Sequence, residues 1–164
     1  MYDWTVLSQT VSETLASGTV GTPLFVRWTA AAAQSTPDLK PLLAEMSACA
    51  ETWLSARPRR LYATGSADAG HLSLSLEYEN GQSALLAISL AHSRPSMNLI
   101  ILGARGAIYQ ADPEVVARAE TLAGDTHERP QQSALLSTSQ LVAAVDKSLF
   151  SHQPVSLSPE GDQP

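Results

Sequence analysis

The chain has 164 residues, of which 44% are hydrophobic and 16% charged, and its ten Lys plus Arg against sixteen Asp plus Glu give a formal net charge of −6. That length is expected to form a single domain with its own core; one cysteine leaves no intrachain disulfide, and scattered basic residues, clustered only at Arg57, Arg59 and Arg60, argue against a nucleic-acid partner. No apolar run reaches the ~18–20 residues of a membrane span, and "MYDWTVLSQTV" lacks the basic start and apolar centre of a signal peptide, so a cytoplasmic protein with no membrane partner is expected.

Residues 3–17, "DWTVLSQTVSETLAS", read as a short helix with Trp4, Leu7, Val11 and Leu15 near one stripe. Gly18 sits where a helix ends in a left-handed residue. Gly21, Thr22 and Pro23 mark a turn, and "LFVRWTA" reads as a strand. After the polar loop "QSTPDLKP" comes a helix over 41–55, with Pro41 near its start, where a missing backbone N–H costs nothing. Met46, Cys49, Ala50 and Trp53 share one face of this helix at i, i+3, i+4 and i+7. "SARPRR" ends it, and "RLYATGS" is a second strand.

The middle of the chain carries the clearest pattern. In "HLSLSLEYENGQSALLAISLAHS", Leu72, Leu74, Leu76 and Tyr78 alternate with His71, Ser73, Ser75, Glu77 and Glu79. This is the period-two signature of a half-buried antiparallel strand. Asn80-Gly81 is the strongest signal for a two-residue hairpin. The returning strand sets Ala84, Leu86, Ile88 and Leu90 on one face and Leu85, Ala87 and Ser89 on the other, so its second face is also free of charge. "SMNLIILGARGAIYQAD" gives a strand, a Gly-Ala-Arg-Gly turn and a short strand. "PEVVARAETLAG" continues as a helix and "DTHERPQQS" as a polar loop. The stretch beginning "SALLSTSQLVAAV", headed by Ser133 as a candidate N-cap, is a helix through about Leu149 with Leu141, Val142, Val145 and Leu149 as its stripe. Residues 158–164 read as a disordered tail. Helix, strand, helix, four or five strands mostly joined by hairpins, then a helix is an α+β order: helices on one face of a mainly antiparallel, open-faced sheet over residues 1–157.

No catalytic, cofactor-binding or metal constellation stands out. His71, His92, His127 and His152 form no i, i+4 pair and have no ligand-spaced Cys or carboxylate. His71 and His92 end the two arms of the hairpin and are candidates to meet across it. Cys49, among Ala, Met, Ser and Trp, has no base or cation in sequence to activate it. Asp3, Asp38, Glu45 and Glu51 lie in or near helices; Glu45 and Glu51 are six apart and read as a solvated face. Arg57, Arg59 and Arg60 suit a helix C-terminus.

Four stretches together resemble the C-terminal domain of the Gfo/Idh/MocA oxidoreductases. "ETLASGTVGTPLFVRW" is similar to that family's leading helix, Gly-x-Ile-Gly turn and first strand. "LSLEYENGQSALLAIS" is similar to its hairpin, "LIILGARGAIY" to its strand, Gly-x-x-Gly turn and strand, and "LVAAVDKSLFSHQPVSL" to its closing helix and Pro-Val-x-Leu end. They occur in the family's order and span nearly all of residues 3–157. The resemblance implies a dihydrodipicolinate-reductase-like α+β fold, substrate contacts from the helix over 41–55, and oligomer contacts through the open sheet face. The family's NAD(P)-binding Rossmann half, its Gly-x-Gly-x-x-Gly turn and its Glu-Lys-Pro motif have no counterpart here. The family often places a His and an Asp ahead of Trp-Leu on this helix; Met46 and Cys49 occupy the matching positions, and neither serves as a proton carrier near neutral pH. The resemblance therefore implies a non-catalytic binding or oligomerisation module. It leaves open a subunit of a split NAD(P)-dependent oxidoreductase, with the cofactor held by another chain, and a truncated dehydrogenase. Met46, Cys49, His71, Ser73, Ser75, Leu85, Ala87, Ser89 and His92 are the ligand or interface candidates, with a second copy or a partner oxidoreductase chain expected on the sheet face.

Overall fold

Alternation sorts the central hairpin strand into two faces: Leu72, Leu74, Leu76 and Tyr78 are completely buried, and the side chains between them lie on the opposite side. The computed structural model describes residues 4–36, 38–90, 95–111 and 136–157. Its elements are α1 (Thr5–Ala16), β1 (Pro23–Ala32), α2 (Lys40–Leu54), β2 (Pro58–Ser66), β3 (His71–Tyr78), β4 (Ser83–Leu90), β5 (Ser96–Gly103), β6 (Ala107–Gln110), α3 (Thr138–Ser151) and β7 (Val155–Ser156). The expected helix over "PEVVARAETLAG", the loop after it, His92, His127, Ser133 and the tail 158–164 lie outside the described residues. No helix among the described residues is long and apolar enough to cross a membrane.

The strands form one seven-stranded sheet in the order β6-β5-β1-β4-β3-β2-β7. β1 runs parallel to β4, and every other neighbouring pair is antiparallel. The α+β class and open sheet are as the sequence implies, with β7 added after α3. The same parity holds across the sheet. Val26, Trp28, Ala30 and Ala32 of β1, Ala84, Leu86 and Ile88 of β4, and Met97, Leu99 and Ile101 of β5 all enter one core. α2 covers β1, β3 and β4, α3 covers β2, and α1 packs on α2. A chain of indoles ties these layers together. Trp4 meets Trp28 edge-on at 4.9 Å, and Trp28 lies 5.3 Å from Trp53 of α2. Such pairs contribute about 0.5–1.5 kcal/mol beyond the area they bury.

Three local expectations are corrected. The hairpin at Asn80-Gly81 is not a two-residue turn. Tyr78 and Gln82 close a three-residue loop, and Gly81 has positive φ while Asn80 does not. A type I′ turn needs both central residues left-handed; a left-handed glycine following a type I turn makes the three-residue alternative. α3 is capped by Ser137 rather than Ser133. The Ser137 hydroxyl accepts from Gln140 N, and the Gln140 side chain accepts from Ser137 N, so two otherwise orphaned donors are satisfied. Glu51 is buried, not solvated: it faces the sheet, where its charge reinforces the burial that raises the Tyr78 phenol well above its ordinary range.

Candidate functional site

Among the described residues no helix packs on one face of the sheet, and the side chains on that face align into cross-strand rows. One row reads Tyr109–Ile100–Arg27–Leu85–Ser75–Tyr62 from β6 to β2. The next reads Ala107–Leu102–Phe25–Ser83–Glu77–Arg60. On the other side lie Asn98–Thr29–Ala87–Ser73–Thr64, and then Ser96–Ala31–Ser89–His71–Ser66. The first row is mostly apolar around Arg27 and Ser75, the second is apolar from Ala107 to Phe25 and polar or charged from Ser83 to Arg60, and the other two are made of small or neutral polar residues with one histidine.

The apolar side chains of the first two rows reach solvent. Tyr109 is 71% exposed, Leu102 40%, and Leu85 and Tyr62 38% each. Arg27 and Ser75 flank Leu85, so the exposed apolar side chains are spread over β6, β5, β4 and β2, and they make this face a candidate contact site. Charge on this face is sparse. Glu77 lies 3.7 Å from Arg59 and 3.9 Å from Arg60 through one carboxylate oxygen, with all three side chains about half exposed. Arg27 stands outward in the middle of an apolar row.

The sequence candidates divide between the two sides of the sheet. Ser73, Ser75, Leu85, Ala87, Ser89 and His71 come together on the open face, where His71 pairs across β3 and β4 with Ser89. Met46 and Cys49 sit on the helical side. Met46 is fully buried in the core. Cys49 packs against that core; burial pushes its thiol up to about 12, opposed by the neighbouring Ser8 side chain and reinforced by Glu45. A thiol held protonated in this way is not a nucleophile at neutral pH. Arg27, Tyr62, Ile100, Leu102 and Tyr109 were not among the sequence candidates. A usable signal existed for Arg27: Phe25, Arg27, Thr29 and Ala31 alternate with the four buried residues of β1, so a charge in that set points away from the core.

The Gly-Ala-Arg-Gly turn has a structural job. Arg105 N donates to Val20 O at 3.0 Å, Ala104 N to Thr22 O at 2.9 Å, and the Arg105 guanidinium to Gly18 O. Gly103 lies so close to the Val20 carbonyl that a Cβ there would collide with it. The turn's N–H groups are thus engaged with the chain itself, and the turn joins two strands rather than a strand and a helix. It does not fit a dinucleotide pyrophosphate, which takes free N–H groups at a helix N-terminus. Among the described residues no three His, Cys, Asp or Glu side chains gather where a metal ion would be held.

A scan against family models and a search of curated proteins both found no match. Solved structures do match. A myo-inositol dehydrogenase from Corynebacterium glutamicum superposes with TM-score 0.66 at 14% identity, over 93% of this chain and 61% of that one. A scyllo-inositol dehydrogenase from Lactobacillus casei, with bound NAD(H) and scyllo-inositol, gives 0.65 at 10% identity, over 91% and 61%. A probable dehydrogenase from Thermotoga maritima gives 0.66 at 14% identity, again over 91% and 61%. The chain thus spans about three fifths of the length of these dehydrogenases. Its resemblance to the C-terminal α+β domain of the Gfo/Idh/MocA oxidoreductases is a likeness of fold.

Proposed function

We propose that this chain is a non-catalytic binding and oligomerisation module on a dehydrogenase C-terminal-type fold, working through its open sheet face. The observation that carries the reading is the set of exposed apolar side chains, Leu85, Leu102, Tyr62 and Tyr109, on the sheet face that no helix among the described residues covers. Ala87, Ser83 and Ser89 on the central strand are small, which lets a second layer approach to the usual ~10 Å between packed sheets. Six strands ~4.8 Å apart and four rows ~7 Å apart give a face of roughly 800 Å², the size one partner contributes to a standard interface. Met46 and Cys49, at the positions where the family often carries its proton-transfer pair, offer no acid–base chemistry near pH 7.

The test is the mass of the purified chain by light scattering over a concentration series. The expected result is a multiple of 17.4 kDa, and Leu85→Lys, which places a charge at the centre of the face, returns it to the monomer mass with unchanged circular dichroism. A wild-type chain that stays monomeric at every concentration overturns the self-association reading.

A second reading draws on the share of the dehydrogenases' length, about three fifths, that this chain spans. In it, a separate NAD(P)-binding chain pairs with this one as a split oxidoreductase. Its distinguishing result is a monomeric chain that raises the NAD(P) affinity of a co-purified nucleotide-binding protein.

A further inference from the structure

The start of β2 is irregular, and the irregularity gathers charge. Pro58 pairs with Tyr78 and Arg60 with Glu77, which are neighbours on β3, so Arg59 is an extra residue in the ladder. In a regular strand successive side chains alternate between the two faces. Here Pro58 and Leu61 are buried, while Arg59 and Arg60 between them are both exposed. Both side chains reach the same atom: Glu77 Oε2 lies 3.7 Å from Arg59 and 3.9 Å from Arg60. Bulges re-aim side chains in this way and are over-represented at sheet edges and next to functional sites. We propose that Arg59 and Arg60, with Arg57 beside them, form a binding site for a phosphate group, either inorganic phosphate or the phosphomonoester of a small molecule.

The donors of this cluster are unspent. Contacts of 3.7 and 3.9 Å are too long for hydrogen bonds. Among the described residues the guanidinium groups of Arg57, Arg59 and Arg60 make no hydrogen bond. Each guanidinium presents its N–H groups in a planar fork. The backbone that carries them is tied down. Arg57 O accepts from Glu79 N at 3.1 Å, and Arg59 O accepts from Leu157 N at 2.8 Å. Arg60 stands in the ladder between Glu77 and Ser156. The three side chains therefore start from fixed points at one end of β2, which lowers the cost of ordering them around a ligand.

Charge selects the class of ligand. The chain carries a net charge of −6, yet three of its ten basic residues fall within four positions here. Glu77 opposes them in the ladder and Glu79 follows it, so three cations face two carboxylates. Glu77 offers one oxygen to two guanidinium groups, which leaves like charges side by side with a single counter-charge. A carboxylate ligand matches one arginine fork. A phosphate group near neutral pH carries about 1.5–2 negative charges and three acceptor oxygens, enough to engage two forks at once. All three charged side chains in contact are about half exposed, so the group is held at the surface and competes with salt.

The test is a titration of the isotope-labelled chain with inorganic phosphate at constant ionic strength and neutral pH, followed by the amide signals of residues 57–60 and Glu77. The expected result is saturable movement of these signals. Arg59→Gln and Arg60→Gln should each weaken binding roughly tenfold, the loss of one charge-assisted fork. Glu77→Gln removes the competing carboxylate and should tighten it. Lys147→Gln removes an exposed cation on α3 and so changes the net charge equally; it should leave binding within about twofold, since distant surface charges are screened. Circular dichroism checks that each variant is folded. A parallel titration with glycerol phosphate separates the two sources: saturation by both probes assigns the phosphomonoester group, and saturation by inorganic phosphate alone assigns the free anion. Signals that move without saturating overturn the site. A Lys147→Gln variant that loses as much as Arg59→Gln also overturns it, because diffuse surface charge then accounts for the binding.

Discussion

Removing a single buried hydroxyl, that of Ser148, tests the account of how the sheet edge is closed. Ser148 is fully buried on α3. Its Oγ donates to Gln153 O at 2.8 Å and accepts from Ala63 N at 3.0 Å. The second bond matters because β7 pairs with β2 only at Arg60 and Leu61. Beyond that point the edge of β2 would present a bare N–H to the core, and the serine stands in for the missing strand. In Ser148→Ala the Ala63 N–H keeps its burial and loses its acceptor, a cost of about 1–3 kcal/mol. The Gln153 carbonyl, in an exposed turn, turns to water and adds little. Almost no void is created, so the loss reports the orphaned donor. For a chain of this size each kcal/mol moves Tm by about 2–4 °C, so a fall of roughly 4–8 °C is expected for a 2 kcal/mol loss. Urea unfolding followed by tryptophan fluorescence should show a lower midpoint with an unchanged slope, and hydrogen exchange at the Ala63 amide should accelerate. A loss below about 0.5 kcal/mol with Ala63 still protected would refute the reasoning, since a buried donor left without a partner costs more than that.

Three further outcomes follow from burial and close packing. The Cys49 thiol, raised from an ordinary value near 9 to about 12 mainly by burial, should react with a disulfide reagent at least 100-fold more slowly in the folded chain at pH 8 than in urea. Because the folded-state pKa is the higher one, its contribution to stability is intact below about pH 9 and is lost as pH rises from there towards 12; Cys49→Ala should flatten that alkaline decline, leaving the part contributed by Tyr78, which is raised in the same direction. Gly103→Ala drives a Cβ into the Val20 carbonyl and should cost about 1–3 kcal/mol in the same urea assay, as overpacking of rigid neighbours does, with the segment around Gly18–Thr22 losing exchange protection first.

Much of the architecture was legible because it is local. The alternation of Leu72, Leu74, Leu76 and Tyr78 with polar residues states which face is buried, and the stripe Leu7, Val11 and Leu15 states a helix. Ser137 and Gln140 even carry the S-x-x-Q spacing of a capping box, although Ser133 competes with it until the helix start is known. The strand order was not legible. Inserting β1 between β5 and β4, parallel to β4, depends on pairings far apart in sequence that no window of residues contains. The open face has the same origin. Leu85, Ala87 and Ser89 stand out within one strand, but the row from Tyr109 to Tyr62 draws one residue from each of six strands. Glu51 shows the limit of helical geometry: its position on α2 is plain from the sequence, whereas its burial against the sheet near Tyr78 depends on how the helix is laid down.

The open sheet face, as proposed above, is where this chain meets another copy of itself, and side-chain oxidation footprinting at rising protein concentration tests that contact residue by residue. Leu85, Leu102 and Tyr62 are exposed on that face, while Phe150, 91% exposed on α3, lies outside it. Leu85, Leu102 and Tyr62 are expected to become protected as concentration rises, and Phe150 to stay fully reactive. Protection of Phe150 with the sheet-face residues unchanged would contradict it.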